Sequence, residues 1–276
     1  MTLAAFIDQH DKLFVLTGAG ISTASGIPDY RDTRGEWKQS QPVDIREFRR
    51  SEQARQRYWA RSTVGWKRFD AARPSRAHHA LAILESHAKL SGIVTQNVDG
   101  LHQRAGSGTV IDLHGRNDRV VCDACDYRIE RAGFQRNVLS MNPDLHTHDA
   151  PLMADGDAAL EHYPFTRFAV PACPQCNGIL RPDVVFFGEN VPRARVAEAT
   201  GMLESASAML VVGSSLMVYS GFRFVRHARS LGLPLAIINR GITRDDSLFD
   251  LRLIGDCNTV LADALLTLRY SCTSTP

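Results

Sequence analysis

The sequence predicts an α/β protein built on a doubly wound parallel sheet, with a smaller zinc-binding domain inserted. Short apolar segments alternate with segments of helical periodicity, as in chains of βαβ units. Several apolar segments end directly in glycine or polar residues, as strands do where a parallel sheet meets a ligand. Two C-x2-C pairs between residues 122 and 176 interrupt the alternation. These observations favour one large Rossmann-like domain and one small domain.

Composition excludes several classes of protein. The chain has 276 residues, 44% hydrophobic and 22% charged, which is ordinary for a globular protein. A formal net charge of +2 gives no general attraction to nucleic acid or membranes. No apolar run approaches membrane-spanning length, and the first predicted strand begins too soon after Met1 for a targeting peptide. We expect a cytoplasmic protein with reduced cysteines, without membrane or direct nucleic-acid partners, and with no indication of its oligomeric state.

Both predicted domains are assembled from separate parts of the chain. We expect the large domain at about residues 1–40, 90–118 and 180–270, and the small domain at about 41–89 (helical) and 119–179 (zinc-binding). Buried strands are predicted at residues 13–16, 92–95, 110–113, 184–187, 209–212 and 235–238. Helices are predicted at residues 2–10, after an N-cap at Ser75, at 193–205, at 219–230 and from about Cys257. Residues 44–70 are helix-rich and mix arginines with aromatics, which suits a nucleic-acid surface, although interleaved acidic residues favour a solvated face.

A glycine-rich loop follows the first predicted strand. Gly18 and Gly20 let the backbone turn tightly and approach a pyrophosphate, with the N–H groups of a following helix available to it. A plain tight βα turn has the same pattern, so both interpretations stay open on this segment. No carboxylate ends a second strand about twenty residues on, unlike in a dehydrogenase. The polar residues that follow either cover a ligand or form a proline-initiated turn; they are Pro28, Asp29, Tyr30, Arg31 and Asp32.

Polar residues at the carboxyl ends of the other strands are further candidates, because ligands bind at that edge of open α/β sheets. They are Gln96, Asn97 and Asp99; His114; Gly213, Ser214 and Ser215; and Asn239, Arg240 and Gly241. His114 is the histidine placed at such a strand end, which makes it the candidate general base, although a single histidine can equally be structural. The remaining strand ends can equally be turns.

Four of the six cysteines form two C-x2-C pairs, Cys122 with Cys125 and Cys173 with Cys176. This spacing lets each pair of thiolates bind one zinc ion and close a tetrahedral site without an open position, so the sequence predicts one structural zinc ion. Two disulfides or a redox dithiol are alternatives that a reducing compartment disfavours. We interpret Cys257 as a closely packed residue at a helix start and Cys272 as a tail residue.

Together these segments resemble the sirtuin family, the NAD-dependent protein deacylases, from Leu13 to about Leu261. The motifs occur in the family's order: GAGISTASGIPDYR at 18–31, TQNVDGLH at 95–102, LHG at 113–115, the paired cysteines, PDVVFFGE at 182–189 and VGSSL at 212–216. Tyr30, Asp32 and RYWAR at 57–61 are similar to the class II branch, which includes mitochondrial lipoamidase and ADP-ribosyltransferase types. The lack of a targeting extension favours a bacterial-type cytoplasmic protein.

The resemblance implies removal of acyl groups from lysine with consumption of NAD. The acyl oxygen would attack C1′ of the nicotinamide ribose, nicotinamide would leave, and His114 would deprotonate a ribose hydroxyl, giving free lysine and O-acyl-ADP-ribose. Asn97 and Asp99 would line the nicotinamide and ribose pocket. The other residues for which the resemblance or the strand-end pattern implies NAD contact are Gly18, Ala19, Gly20, Thr23, Asp29, Tyr30, Arg31, Gln96, Gly213, Ser214, Ser215, Asn239, Arg240, Gly241 and Cys257.

A site for an acyl-lysine protein or peptide is also implied. Backbone pairing with the substrate, which tolerates many sequences, would involve Val184, Val185, Phe186, Phe187, Gly188 and Glu189. Tyr58 and Arg61 share one face of a predicted helix and match the Tyr-x-x-Arg pair of desuccinylating sirtuins, although Arg61 can equally be a solvated arginine. Arg116 departs from the small or polar residues common in the family and leaves the shape of the acyl site open.

Two other functions are compatible with these residues. Protein ADP-ribosylation shares NAD cleavage but does not need an acyl peptide, and lipoamidase-type deacylation differs in the acyl group. A non-enzymatic NAD or ADP-ribose binding module is disfavoured because His114, Asn97 and Asp99 are all present.

Overall fold

The computed structural model describes residues 1–38, 42–154, 156–160 and 163–270. The chain divides into two compact units: unit 1 contains the described residues within 1–39, 73–113 and 191–276, and unit 2 those within 40–72 and 114–190. Among the residues in these ranges, no helix has the length and apolarity needed to cross a membrane. Cys272, predicted to be a tail residue, lies outside the described residues.

The elements alternate along much of the chain, as βαβ units require. The strands, in chain order, are β1 Leu13–Thr17, β2 Leu90–Thr95, β3 Val110–Asp112, β4 Gly115–Cys122, β5 Arg128–Glu130, β6 Leu180–Val184, β7 Ala208–Val212, β8 Leu235–Asn239 and β9 Leu251–Ile254. The α-helices are α1 Leu3–Gln9, α2 Ile45–Arg50, α3 Glu52–Ala71, α4 Arg76–Ser86, α5 Leu101–Arg104, α6 Arg131–Met141, α7 Arg193–Glu204, α8 Tyr219–Ser230 and α9 Cys257–Leu268.

Unit 1 is a six-stranded parallel sheet with the strand order β3-β2-β1-β7-β8-β9. From the central strand β1 the chain continues to one side through β2 and β3 and later to the other side through β7, β8 and β9. The strand order therefore reverses between β1 and β7, which makes this the topological switch point where ligands bind in open α/β sheets. The predicted fold class is confirmed.

Side chains of β1 alternate between the two faces of the sheet, as the period of a strand requires. Leu13 and Val15 belong to the core that includes residues of α1, α4 and α9. Phe14 and Leu16 belong to the core that includes residues of α7 and α8. Because helices cover both faces of the sheet at β1, its side chains are apolar on both faces, which is the continuous apolar run from which the strand was predicted.

Unit 2 has its own core and a three-stranded antiparallel sheet with the order β5-β4-β6. Trp59 of α3 is fully buried, packs against Phe134 of α6 and donates from its indole N–H to the carbonyl of Leu180 at 3.2 Å. Helices and sheet are thus joined around one aromatic centre, and Phe168 and Tyr163 of the following loops are buried in the same core.

The division into units differs from the predicted domain boundaries in two places. Helix α4 belongs to unit 1, because Ala77, Leu81 and Leu84 are buried in the same core as β1 and β7. Residues 114–118 and 180–190 belong to unit 2, because β4 and β6 pair with each other.

The predicted strand at residues 184–187 is wrong. Strand β6 ends at Val184, and Gly188 then adopts a positive φ of 79°, which turns the chain. The strands at 13–16, 92–95, 110–113, 209–212 and 235–238 and the N-cap at Ser75 are confirmed. Strands β4, β5 and β9 were not predicted.

Candidate functional site

Two loops of unit 1 meet at the switch point. Gly18 donates its N–H to the carbonyl of Val212 at 3.1 Å, and Gly20 donates to that of Gly213 at 2.8 Å. A Cβ on Gly18 would lie 2.8 Å from Cβ of Ser214, and one on Gly20 would lie 2.9 Å from Cα of Gly213. Both glycines are therefore required for the close approach of the loops that follow β1 and β7. These contacts pack the loops after β1 and β7 directly against each other at the switch point.

The helix expected after the glycine loop is absent from this described segment. Two 3₁₀ helices, Ala19–Ile21 and Thr23–Ser25, replace it. The hydroxyl of Thr23 donates to the carbonyl of Gly20 at 3.1 Å, which draws the chain into this tight conformation. This segment therefore has no long helix dipole to offer an anion, and the N–H groups of Gly20, Ile21 and Ser22 are bonded to carbonyls.

Asn97 and Asp99 are fixed beside the glycine loop after β2. The Asn97 side-chain amide donates to the carbonyl of Gly18 at 3.1 Å and to the hydroxyl of Ser22 at 3.0 Å. Ser22 in turn donates to Asp99 at 2.7 Å, and the other carboxylate oxygen accepts from the N–H of Leu101 at 2.9 Å. Ser22 was missed as a site residue, although it lies within the quoted glycine motif.

Gln96 belongs to the same edge of the sheet but faces the loop after β7. Its amide donates to the hydroxyl of Ser214 at 2.8 Å, and its backbone N–H donates to the carbonyl of Thr17 at 3.0 Å. Gly213 has a φ of 62°, which allows the turn that presents Ser214. The structure therefore brings the predicted strand-end residues of β1, β2 and β7 together.

The polar residues after the glycine loop form a compact turn. The Arg31 guanidinium lies 4.1 Å from the centroid of the Trp37 ring and donates to the carbonyl of Gly35 at 2.6 Å. Tyr30 packs edge-on against the same Trp37 ring. Asp29, the residue before Tyr30, forms an ion pair with Lys38. This is more structure than a proline-initiated turn with solvated charges would need.

The loop after β8 packs against this turn. A Cβ on Gly241 would lie 2.8 Å from Cα of Thr33, so glycine is required there. Asn239 donates from its side-chain amide to the carbonyl of Gly241 at 3.0 Å, and Arg240 forms an ion pair with Asp256 at 2.5 Å. The loop is thus held in place from both sides.

Ser215 and Cys257 are two further residues of unit 1 for which NAD contact was predicted. The carbonyl of Ser215 accepts from the N–H of Arg244 at 2.9 Å. Cys257 begins α9, is buried, and has its sulfur 3.9 Å from the carbonyl oxygen of Ile238. Burial raises the pKa of the Cys257 thiol to about 12, so it is a packing residue and not a reactive thiolate. The sequence interpretation of Cys257 as closely packed agrees with this.

His114 is the first residue of unit 2 after Leu113. Its carbonyl accepts from the N–H of Val185 at 2.8 Å. Gly115 follows with a φ of 83°, and a Cβ there would lie 2.1 Å from the carbonyl oxygen of Asp183. The backbone at His114 and Gly115 is therefore fixed independently of the imidazole.

Arg116, which departs from the family pattern, forms an ion pair with Asp118 on the same strand. The two residues are two positions apart on β4, so both side chains leave the strand on one face. A neighbouring carboxylate thus compensates the cation after His114 and Gly115.

Residues 184–189 form an ordered loop beyond β6. Phe186 is buried against Phe48 and Tyr58, whereas Phe187 is 37% exposed. The carbonyl of Phe187 accepts from the N–H of Ile45 at 2.9 Å. Backbone hydrogen bonds with His114 and with Ile45 thus hold this loop, although it does not pair with a strand along its whole length.

Tyr58 and Arg61 lie on α3, as predicted. The Tyr58 ring packs edge-on against Phe48. Arg61 donates from Nε to the carbonyl of Ala158 at 3.1 Å and from Nη2 to the sulfur of Met153 at 3.0 Å. Arg61 is thus held by the segment between the two cysteine pairs and is not simply a solvated arginine.

The four predicted cysteines converge. Their sulfurs all lie within 4.8 Å of one another, with 3.5 Å between Cys122 and Cys176, 3.7 Å between Cys125 and Cys173, and 3.4 Å between Cys125 and Cys176. A tetrahedral zinc ion with Zn–S distances of about 2.3 Å requires S···S separations of roughly 3.8 Å. The cluster therefore fits a closed structural zinc site. A hydrogen bond from the N–H of Ala124 is the main cause that lowers the pKa of Cys122 to about 7.

A group of charges next to the cysteine cluster was not predicted. Asp123 accepts two hydrogen bonds from Arg49, at 2.6 and 2.8 Å, and pairs with Arg181 at 3.2 Å. Arg181 also pairs with Glu189 at 3.3 Å, and Glu189 accepts from the N–H of Phe186 at 3.1 Å. These bonds connect the first cysteine pair to residues 184–189.

The fold and these sites define an α/β protein with a glycine-rich loop at its switch point and a four-cysteine cluster that fits a closed metal site. The model of the Sir2 family matches residues 18–220. The chain is 55% identical over 260 residues to an NAD-dependent protein deacetylase of Xanthomonas campestris, covering 94% of this chain and 89% of the relative. It is 44% identical over 262 residues to the NAD-dependent protein deacylase Sirt4 of Drosophila melanogaster, covering 94% and 84%. The chain belongs to the Sir2 family.

Solved structures agree with this assignment. One described as Sir2 with a p53 peptide and NAD+ has a TM-score of 0.76 at 33% identity, covering 98% of this chain and 99% of that chain. Another, described as Sir2 bound to acetylated peptide, has a TM-score of 0.77 at 32% identity, covering 98% and 100%. The family resemblance stated from the motifs is confirmed.

Proposed function

We propose that the chain is an NAD-dependent protein-lysine deacetylase or broader deacylase, which transfers the acyl group of a modified lysine to ADP-ribose. The observation that carries the proposal is the fixed Asn97 and Asp99 pair beside the glycine loop, in a chain of the Sir2 family. The names of the relatives, NAD-dependent protein deacetylase and deacylase, support it. The net reaction consumes acyl-lysine, NAD and water and yields lysine, nicotinamide and O-acyl-ADP-ribose.

In this proposal, residues of unit 1 bind NAD. The glycine loop takes the pyrophosphate, Asn97 and Asp99 take the nicotinamide and its ribose, and the loops after β7 and β8 take the adenosine end. NAD supplies an electrophilic ribose carbon with nicotinamide as its leaving group. Gly18 and Gly20, which let the loop after β1 pack closely against Ser214 and Gly213 at the switch point, support the pyrophosphate assignment.

Residues of unit 2 act on the acyl-lysine in this proposal. His114 accepts a proton from a ribose hydroxyl at its imidazole, as a general base does. The backbone of residues 184–189 pairs with the substrate peptide. The exposed ring of Phe187 packs against one side of that peptide. Because backbone hydrogen bonds do not depend on the side chains of the substrate, we expect the enzyme to accept acyl-lysine within many different peptide sequences.

The four cysteines hold one zinc ion with a structural role. Four thiolate ligands leave no position for water or substrate, so the ion stabilises unit 2 and takes no part in catalysis. A thiolate site needs reduced cysteines, which supports the proposed cytoplasmic location. Cell fractionation with an antibody against the chain tests that location.

The experiment that tests the function incubates the protein with NAD and a panel of acetyl-, long-chain, lipoyl- and carboxyl-bearing acyl-lysine peptides. We expect nicotinamide and O-acyl-ADP-ribose to form in equal amounts, and only when an acyl peptide is present. Nicotinamide release without acyl peptide, with ADP-ribose on a protein, would instead assign the chain as an ADP-ribosyltransferase. Binding of NAD with no release under any condition would assign a binding module.

A further inference from the structure

Two buried histidines lie directly behind the ends of β1 and β2. His78 of α4 is fully buried and His102 of α5 is 1% exposed. Their ring centroids are 4.7 Å apart, with the ring planes inclined at 58°. The proposed chemistry uses neither residue.

The hydrogen bonds fix the tautomer of His78. The backbone N–H of Ser75 donates to Nδ1 of His78 at 3.1 Å, so Nδ1 carries a lone pair and no proton. Burial, the main cause, lowers the pKa of His78 to about 2, which keeps the ring neutral. Its single proton is therefore on Nε2, an atom that is buried and has no hydrogen-bond partner among the described residues.

His102 has the complementary arrangement. The hydroxyl oxygens of Thr17 and Thr95 lie 2.8 Å apart, and Nε2 of His102 lies 2.9 Å from the same Thr17 oxygen. When Thr17 donates its proton to Thr95, Nε2 of His102 is the donor to Thr17. Burial lowers the pKa of His102 to about 3, so this ring is also neutral. Its Nδ1 is then a bare acceptor, buried and without a partner among the described residues.

An unpaired buried donor thus lies on one ring and an unpaired buried acceptor on its neighbour. Leaving both unpaired is costly, and the two ring centroids are only 4.7 Å apart. We propose that Nε2–H of His78 donates to Nδ1 of His102, which completes a relay from Ser75 through His78, His102 and Thr17 to Thr95. This makes both histidines positioning residues for Asn97.

The link to Asn97 is the last step of the relay. Thr95 ends β2, and its hydroxyl oxygen accepts from the backbone N–H of Asn97 at 3.1 Å. Thr17 ends β1, and its carbonyl accepts from the N–H of Gln96. The relay therefore holds the two strand ends from which Gly18 and Asn97 depart. That this matters for NAD rests on the proposed role of Asn97.

The first test is nitrogen NMR of the full chain labelled with ¹⁵N-histidine. We expect both rings to be neutral Nε2–H tautomers at pH 5, with a scalar coupling across the hydrogen bond from Nε2 of His78 to Nδ1 of His102. Assignment uses His78→Phe and His102→Phe. A charged ring, an Nδ1–H tautomer or absence of the coupling would overturn the relay. This result does not depend on the proposed function.

The second test is kinetic. We expect His102→Phe to raise KM for NAD about 10- to 100-fold, because displacement of about 1 Å at a site has effects of that size. KM for the acyl peptide should change less than about twofold. His102→Gln, whose amide nitrogen replaces Nε2 as donor to Thr17, should recover most of the loss. His79→Phe is the matched control, since His79 is the exposed neighbour on α4.

A double variant tests whether His78 acts through His102. If His78 acts through His102, the double variant His78→Phe/His102→Phe should show about the same KM for NAD as His102→Phe alone. Additive effects, or an equal rise in both KM values with a matching fall in Tm, would show a general packing role and refute the positioning role. If His102→Phe does not fold, His102→Gln against His102→Asn, which lacks the donor to Thr17, makes the same comparison. A parent enzyme without any NAD-dependent deacylation would refute the proposed function and leave the NMR result standing.

Discussion

At His114 the backbone is fixed by its own carbonyl and by Gly115, which separates the role of the imidazole from that of the chain. Its carbonyl is bonded to Val185, and Gly115 has a conformation that depends on no part of the ring. We predict that His114→Ala lowers kcat about 10²- to 10⁴-fold, the usual effect of removing a general base, while NAD still binds.

Single-turnover kinetics and isothermal titration with NAD measure these two effects separately. His79→Ala, at an exposed histidine of α4, serves as the control and should leave kcat unchanged. Turnover of His114→Ala within a factor of a few of the parent would show that another group is the base.

Arg61 tests the acyl group that the enzyme prefers. If its guanidinium contacts a distal carboxylate, a charge-assisted bond of about 1.5 to 3 kcal/mol gives roughly a 10- to 150-fold preference. We predict that Arg61→Met lowers the ratio of kcat/KM for succinyl- or glutaryl-lysine over acetyl-lysine by that factor. An unchanged ratio would limit Arg61 to its contacts with Ala158 and Met153.

Arg57→Met is the matched control for this comparison. Arg57 lies one turn earlier on α3 and pairs with Glu47 at 3.2 Å. Its replacement removes an equal charge from the same helix, so a general electrostatic effect would appear in both variants. The acyl-specific effect should appear in Arg61→Met alone.

At the scale of elements, the charge group of Arg49, Asp123, Arg181 and Glu189 joins the first cysteine pair to the loop at residues 184–189. Hydrogen bonds from Arg49 are the main cause that lowers the pKa of Asp123. We predict that Asp123→Asn raises KM for the acyl peptide roughly three- to tenfold, a modest effect because the pairs are partly exposed.

Steady-state kinetics with each substrate varied in turn measure this effect, with KM for NAD expected to stay constant. Zinc content should also stay at one ion per chain. Asp126→Asn is the control, because Asp126 is an exposed carboxylate on the other side of Cys125. A loss of zinc in Asp123→Asn would attribute the effect to the metal site and not to the loop.

Elements buried on both faces were predictable from the sequence, and elements that depend on side-chain pairing were not. Strands β1 and β7 are continuous apolar runs because helices cover both sides of them. Strand β4 is rich in charged residues and is recognisable only by its partner, since Arg119 pairs with Asp183 of β6. The adjacent residues Phe186 and Phe187 imitate a strand, but one is buried in a core and the other exposed in a loop.

The same distinction holds for the candidate site. The cysteines follow a spacing rule, and His114 follows a strand, so both could be predicted from the sequence, and the convergence of the cysteines is confirmed. Ser22 and His102 lie within quoted motifs, but their contacts with Asp99 and Thr17, 77 and 85 residues away, could not be predicted from those motifs. Only the folded chain brings these partners together.

For the whole molecule, zinc is expected to contribute directly to folding free energy. We predict that Cys173→Ser loses the ion and that unit 2 then becomes sensitive to protease, while Cys257→Ser keeps one zinc ion per chain. Metal analysis and limited proteolysis with mapping of the cleavage sites measure this. Full stability of Cys173→Ser without zinc would contradict a structural role.

The order of the strands has a consequence for synthesis on the ribosome. β1 pairs with β2 on one side but obtains its other neighbour only when β7 has been made, as the pairing of Leu13 with Ala208 requires. All four cysteines have been made by Cys176, which precedes the end of β7 at Val212 by 36 residues. At about 5 to 20 residues per second this is an interval of roughly 2 to 7 seconds. The zinc site can therefore close while the central strand of the large sheet still has an open edge for a chaperone to protect.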